Sequence, residues 1–299
     1  MKGAKLSIII VNYNTKELLG ECLSSLVKAK TTKDEWEVIV VDNASTDGSR
    51  ELLRSFKKSN TPFYKQLVYV ANSRNIGFAA ANNQGVRLAK GQFILLLNSD
   101  TEVRSHVIQT MLQFLNVHPK AAVATCRVEL PDGTMDPACH RGFPTPWAAI
   151  TYFLGLEMVL PHSPIFARYH MGYADFTKPH QIDSPSGAFF LTRKDVIRHV
   201  GFLDEDYFMY GEDLDWAYRI KNKGWEIWFC PEVSILHHKK QSGRAHQNKK
   251  LRQQTKRYFY ETMQTFYKKH YTHKYPLVVT RIILFVLSVR IRVLDTVGL

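Results

Sequence analysis

A chain of 299 residues, 45% hydrophobic and 22% charged, is long and apolar enough to bury a full core, which excludes a disordered chain. The formal net charge of +13 is concentrated at one end: residues 237–299 hold 14 Lys and Arg against Glu261 and Asp295, whereas the first 236 residues nearly balance 26 basic and 25 acidic side chains. Such an end seeks an anionic surface, either phospholipid or nucleic acid.

The first residues, Met1-Lys2-Gly3-Ala4-Lys5, run straight into a strand and do not read as a signal peptide. Residues 6–11 form that strand and end in Asn12-Tyr13-Asn14; a helix follows over 15–29, with Thr15 as its expected cap. The run Val38-Ile39-Val40-Val41 opens into Asp42-Asn43-Ala44-Ser45-Thr46-Asp47-Gly48, and a helix over 48–57 takes Thr46 as cap. A third strand is expected over 65–70 and a helix over 78–89. The strand 93–97 then ends in Asn98-Ser99-Asp100. Three β-branched or leucine-rich runs thus end in amide, hydroxyl and acidic residues. That pattern predicts buried parallel strands delivering polar groups to one sheet edge, where ligands bind in open α/β folds.

A helix over 105–117, a strand over 121–128 and a turn at Pro131-Asp132-Gly133-Thr134 complete this alternation. Residues 137–185 are rich in Pro, His and aromatics without a period, and read as an irregular insertion that lines or covers the site. Order returns with a strand at 186–191, a helix over 193–200, a helix over 211–223 ended by Gly224, and a strand over 225–230. The tail is expected to be helical over 245–271. After Pro276 an apolar stretch, 277–293, is interrupted by Arg281, Arg290 and Arg292. Its uninterrupted core, 282–289, falls far short of the ~20 residues of a spanning helix, so an interfacial amphipathic helix is favoured. Packing on its own domain or on a second subunit is the alternative. The four cysteines, Cys22, Cys126, Cys139 and Cys230, have no metal-like spacing, which suggests a reducing compartment.

The ordered motifs Val11-Asn12-Tyr13-Asn14, Val41-Asp42-Asn43-Ala44-Ser45-Thr46-Asp47-Gly48, Asn75-Ile76-Gly77-Phe78-Ala79, Leu97-Asn98-Ser99-Asp100, Ser186-Gly187-Ala188 and Gly211-Glu212-Asp213-Leu214-Asp215-Trp216 resemble those of the family 2 glycosyltransferases, inverting enzymes of the GT-A fold. The match covers roughly residues 5–240 and is similar to the bacterial rhamnosyltransferase-type branch that builds cell-surface polysaccharides. The resemblance implies an α/β GT-A domain over 1–240, with a nucleotide-sugar half at 1–130 and an acceptor and catalytic half at 131–240. The basic helical tail occupies 241–299. It also implies a nucleoside-diphosphate sugar donor (dTDP or UDP, with dTDP-rhamnose preferred), a divalent ion (Mg²⁺ or Mn²⁺) and a lipid-linked or polysaccharide acceptor. The implied location is the cytoplasmic face of the membrane, with the tail on anionic lipid; a homo-oligomer is compatible with all of this.

Asp42, at a strand end, can accept from a pyrimidine N3–H, as the family's matching Asp does. Tyr13 can pack on the base, with Val11, Asn14 and Ser45 beside it. Arg74, Asn75 and Gly77 are expected near the diphosphate or sugar, through backbone amides among others. Asn98-Ser99-Asp100 stands where the family carries Asp-x-Asp; Asp100 is the expected metal ligand, and the pair His237-His238 offers a second, with His237 preferred. Asn98 replaces a carboxylate, which leaves its part in metal binding open. Asp213, with Glu212 beside it, matches the family's general base; the clustered acids also suit a helix N-terminus. Gly187, Glu212 and Trp216 are expected around the acceptor, with buried packing as the default alternative for Trp216. Two readings from other classes are a nucleic-acid-binding protein using the tail, for which no binding signature exists, and a non-catalytic scaffold, against which the set Asp42, Asp100 and Asp213 argues.

Overall fold

A computed structural model describes residues 5–30, 35–59, 61–65, 67–239 and 249–296. The absence of a signal peptide, the boundary at 240/241 and the start of the tail helix at 245 were expectations that fall wholly or mainly outside the described residues. The first half alternates as expected: β1 (Leu6–Asn12), α1 (Lys16–Ala29), β2 (Trp36–Asp42), α2 (Ser49–Lys58), α3 (Pro62–Lys65), β3 (Val68–Ala71), α4 (Phe78–Leu88), β4 (Phe93–Asn98), β5 (Thr101–Val103), α5 (Val107–Val117) and β6 (Ala121–Glu129). After a 3₁₀ turn at Pro137–Cys139 come α6 (Pro146–Phe153), α7 (Leu156–Val159), β7 (His180–Gln181), β8 (Phe189–Arg193), α8 (Lys194–Val200), α9 (Glu212–Asn222) and β9 (Glu226–His237). Two helices, α10 (Lys249–His270) and α11 (Leu277–Thr296), end the described chain.

The sheet runs β3-β2-β1-β4-β8-β6-β9-β5, with β7 paired to β9. β1 lies parallel to both β2 and β4, and all seven of its residues are buried. A strand covered on both faces needs the unbroken apolar run that this one has. In register, Asn12 stands opposite Asp42, and Val11 opposite Asn98. The polar ends of three strands therefore emerge level at one edge. Antiparallel β8 joins β4 to β6, and β9 runs parallel to β6 but antiparallel to β5.

Several local expectations change. The third strand begins at Val68 because residues 62–65 form a helical turn started by Pro62. The last strand does not stop at Cys230 but continues to His237, with a register shift after Cys126. His237 is thus a strand-end residue, held in the sheet opposite Thr101. Thr15 does not cap α1: its hydroxyl donates to Asn12 Oδ1 at 2.7 Å and lies 2.9 Å from Ser99 Oγ. Thr46 does not cap α2 either; Asp47 accepts the Ser49 amide at 3.0 Å and the Lys16 amide at 2.8 Å, tying two helix starts together. The four cysteines are free and buried. The insertion is mostly irregular, as read, but contains α6, where Thr145 accepts the Ala148 amide at 3.2 Å.

Helix α10 is docked on its own domain. Phe266, Tyr267 and Tyr271 are buried with Tyr207, Leu214 and Tyr218. Its cations meet acids of that surface: His270 Nε2 lies 2.7 Å from Asp215 Oδ1, and Lys269 Nζ 2.6 Å from Asp206 Oδ2. Contacts of Tyr267 with Thr280, Gln264 with Ser288 and Arg257 with Asp295 pair α10 with α11 in antiparallel order. Several aromatic and cationic residues of α10, among them Phe266, Tyr267, Arg257, Lys269 and His270, therefore have intramolecular partners, an arrangement that sequence composition alone cannot distinguish from a lipid-facing one. On α11, Val278, Ile282, Phe285, Val286, Val289 and Val293 are exposed. No helix among the described residues is long and apolar enough to cross a membrane.

Candidate active site

The loops after β1 and β2 are stitched together by their own polar groups. Asn12 Nδ2 donates to Asp42 Oδ1 at 3.1 Å and to Ser45 Oγ at 3.0 Å. Ser45 Oγ also accepts the Asn14 amide at 2.9 Å, while Asn14 Oδ1 takes the Thr46 amide at 2.7 Å. Asp42 is fully enclosed; its Oδ2 accepts from Arg50 Nε at 2.8 Å and from the Ser45 amide at 3.1 Å. A base N3–H can reach this carboxylate only if a partner gives way, and the Arg50 side chain, 29% exposed, is the one nearest solvent. Tyr13 and Arg74 are exposed at the same edge.

Three of the expected groups are already engaged within the protein. Val11 is a buried strand residue whose backbone lies in the ladder between β2 and β4. Ser99 is buried with its hydroxyl against Thr15, so it braces the loop. The amides at 76–78 have partners within the protein. Ile76 N–H donates to Asn43 Oδ1, Gly77 N–H to Asn75 Oδ1 and Phe78 N–H to the Phe208 carbonyl at 2.7 Å. Gly77 has φ +91, and a Cβ there would lie 2.8 Å from the Phe208 carbonyl oxygen. Gly77→Ala is therefore expected to cost about 1–3 kcal/mol, from positive φ and backbone overlap together. Urea denaturation checks this, and an unchanged midpoint contradicts it.

The second cluster joins strand ends β4 and β9. His237 Nε2 lies 3.2 Å from Asp100 Oδ1, and its Nδ1 lies 3.0 Å from Asp136 Oδ2. Asp136 also receives Lys239 Nζ at 2.8 Å. All three of His237, Asp100 and Asp136 are buried. Burial opposes charge on the imidazole, but the two carboxylates outweigh it and push the His237 pKa up to about 9. The same contacts, against burial, hold Asp136 well below the usual carboxylate range. Asn98 Nδ2 is 3.5 Å from His237 Nε2, and the buried Asn98 Oδ1 has no hydrogen-bond partner among the described residues. A carboxylate oxygen, an imidazole nitrogen and an orphaned amide oxygen in one place form a donor set that fits a divalent cation.

The third cluster is the start of α9. Gly211, at φ +78, turns the chain into the helix, and Thr262 of α10 seals that turn by donating to the Tyr210 carbonyl at 2.9 Å. Asp213 Oδ2 pairs with Arg141 at 2.8 Å, and Asp213 Oδ1 accepts from the Leu214 amide at 2.7 Å. Arg141 also donates to the Pro185 carbonyl at 2.9 Å, which fixes the pair from the insertion. Glu212 is buried with Oε2 unpartnered among the described residues. Burial first, then the neighbouring Asp213, push its pKa up to about 8. Trp216, a candidate for the acceptor with buried packing as its default, takes the default: it is fully buried, stacked on Phe190 at 5.0 Å, with its indole N–H on the Gly201 carbonyl. One helical turn on from Glu212, it faces the sheet rather than the opening.

A cavity of about 800 Å³ brings together Asn98, His237, Glu212, Asp213, Arg141 and Gly187. A Cβ at Gly187 would meet the Phe78 ring at 3.3 Å. The residues of the β1 and β2 loops lie outside this cavity, at the sheet edge, and Asp100 stands behind its wall against His237. Arg141, Asp136, Arg50, Asn12 and Asn43 are the functional or bracing residues that sequence reasoning did not single out. Asp136 precedes a Pro and Arg141 lies in the aperiodic insertion, so neither carried a positional signal.

Glu212 and His237 give a pH dependence of definite sign. Both groups titrate higher in the folded state than their ordinary values of 4.5 and 6.5, so the folded protein binds the extra protons. Their stabilisation is full below those values and is lost as pH rises through about 8 for Glu212 and about 9 for His237. In chelator-treated protein, the melting temperature is expected to fall from pH 6.5 to 9, and Glu212→Gln to make that fall shallower. A rise over this interval contradicts the assignment.

Glycosyl transferase family 2 matches the chain over residues 7–201. An N-acetylglucosaminyl-diphospho-decaprenol L-rhamnosyltransferase of Mycobacterium tuberculosis is 25% identical over 252 residues, covering 79% of this chain and 77% of that protein. A poly(ribitol-phosphate) beta-glucosyltransferase of Bacillus spizizenii is 36% identical over 111 residues, but these cover 37% of this chain and only 17% of the relative's length. Among solved structures, the mannosyltransferase PcManGT from Pyrobaculum calidifontis, in complex with GDP-Man and Mn²⁺, aligns with TM-score 0.60 at 18% identity, over 95% of this chain and 69% of that one. S. aureus TarS aligns with TM-score 0.57 at 16% identity, over 89% of this chain and 39% of that one. These likenesses establish the GT-A fold.

Proposed function

The chain belongs to glycosyl transferase family 2, and from that premise we propose that it is an inverting glycosyltransferase of cell-surface glycan synthesis. Its donor is a nucleoside-diphosphate sugar, with dTDP-rhamnose preferred over a UDP-hexose, and its acceptor a hydroxyl on a lipid-linked or polysaccharide intermediate. The observation that carries the reading is one cavity holding an acidic pair, Glu212 and Asp213, together with His237 and the unpartnered Asn98 oxygen. The rhamnosyl preference rests on the likeness to the mycobacterial relative over most of both chains.

In this reading Asp213 takes the proton of the acceptor hydroxyl as that oxygen attacks the anomeric carbon. Arg141 and the Leu214 amide hold the carboxylate in one orientation. Glu212, kept protonated near neutral pH by burial, can donate to an acceptor oxygen without adding a second negative charge. Asp100, His237 and Asn98 are the residues that would hold Mg²⁺ or Mn²⁺; a bound ion there supplies positive charge that stabilises the leaving nucleoside diphosphate. Asp136, on Nδ1, leaves Nε2 of His237 as the atom facing that site. Asn12, Asn14, Asp42, Ser45 and Arg50 shape the edge for base and ribose, and Tyr13 and Arg74 are free to close on the nucleotide from solvent. The exposed apolar residues and arginines of α11 suit peripheral contact with the cytoplasmic face of an anionic membrane.

The test offers the purified full chain dTDP-rhamnose, UDP-glucose and UDP-N-acetylglucosamine with Mn²⁺ and a prenyl-diphosphate-linked sugar. A mass increment of one sugar on the acceptor supports the reading. Metal-independent binding of nucleic acid, with no transfer from any of these donors, favours a role for the basic tail instead.

A further inference from the structure

We propose that the cavity continues from the acidic pair into an apolar acceptor groove between α6 and α10, which takes the hydrocarbon chain of a lipid-linked acceptor. This inference rests on the glycosyl-transfer reading above and deepens it. Two helices line the groove with stripes at helical spacing: Ala149, Tyr152 and Phe153 on α6, and Phe259, Met263 and Phe266 on α10. Positions three and four apart share one helix face, so the α10 stripe is a continuous apolar wall and the α6 stripe is apolar but for the Tyr152 phenol. The hydroxyl on the α10 stripe, that of Thr262, is already committed to backbone carbonyls at 209 and 210. A sugar chain laid along these walls would find few hydrogen-bonding partners, whereas a hydrocarbon chain needs none.

The groove does not end in a closed core. Its α6 wall leads to the exposed side chains of Ile150, Leu154, Met158 and Val159, with Met158 87% exposed. A volume of about 800 Å³ is that of a small-molecule site rather than a seat for a folded partner. A flexible chain entering there leaves its polar head at Glu212 and Asp213 while its distal part passes over the exposed α6–α7 surface towards lipid. The chain's apolar burial adds binding roughly in proportion to its length.

The experiment is photolabelling of the full chain with a long-chain polyprenyl diphosphate carrying a diazirine in its second isoprene unit. Labels are mapped by peptide mass spectrometry. The expected result is labelling at Phe153, Phe259 or Met263, blocked by unlabelled polyprenyl diphosphate but at least tenfold less well by geranyl diphosphate. Phe153→Asp, at a half-exposed position that tolerates a charge, and Met263→Asp should each reduce labelling by about tenfold or more while dTDP and UDP binding is unchanged. Labelling confined to other surfaces, or equal competition by geranyl diphosphate, overturns the groove while leaving the donor site intact. Loss of nucleotide binding by the wild-type chain would instead count against the glycosyl-transfer reading.

Discussion

Asp213→Asn is expected to lower kcat for glycosyl transfer by about 10²–10⁴-fold, the range typical for loss of a positioned general base. The amide keeps the side chain's size and can still accept from the Leu214 amide. It loses the negative charge facing Arg141 and with it the capacity to take a proton. Because Asp213 lies on the α9 side of the cavity, away from the β1 and β2 loops, nucleotide affinity should change by less than about threefold. Steady-state kinetics with a defined acceptor, together with nucleotide titration, separates the two quantities. Transfer that persists within a few-fold of wild type removes Asp213 from the role of base.

Asp100→Asn is the second large effect. The substitution removes one of the two carboxylates that hold His237 charged and the anionic member of the metal donor set. Metal-dependent turnover should fall by on the order of 10²-fold or more, corresponding to a few kcal/mol of charge stabilisation at the leaving group. In the wild type, a cation competes with the proton on His237, so metal affinity should weaken as pH falls below about 9. In the variant this dependence should shift to lower pH, because only Asp136 remains to raise the imidazole. Metal titrations at pH 6.5 and 8.5 on both proteins check the pair of statements. Equal affinities at both pH values contradict the assignment of His237 as a ligand.

Local pattern carried much of this architecture. The β-branched and leucine runs of β1, β2 and β4 are buried on both faces, and the polar residues that close them emerge at one edge. The acidic pair could be placed at a helix start because Gly211 and the acids of the first turn are themselves local signals. What local pattern lacked was partnership. Arg141 reaches Asp213 across 72 residues, from an insertion with no period to place it, and Asp136, just before that insertion, reaches His237 across 101. Trp216 follows the default for a large aromatic beside a site: Glu212, Asp213 and Leu214 line the cavity, while Trp216 turns into the core against Phe190. The motif around Gly77 needs glycine because α4 abuts the Phe208 carbonyl, a contact that no one-dimensional reading of a glycine-containing loop contains.

The tail shows the same limit in its charge. A net excess of cations reads equally as lipid-seeking or as complementary to acids elsewhere in the fold. For α10 the acids are Asp204, Asp206 and Asp215, and Thr262 joins the helix to the turn that presents the acidic pair. Helix α10 is therefore a wall of the candidate active-site cavity as well as part of the tail.

The most direct test of the central claim is calorimetric titration of the full chain with UDP, dTDP and GDP, each with and without Mn²⁺ or Mg²⁺. The account predicts binding of dTDP or UDP that tightens with the divalent ion and is weakened by Asp100→Asn but not by Asp213→Asn. A folded protein that binds none of the three diphosphates, with or without metal, would contradict it.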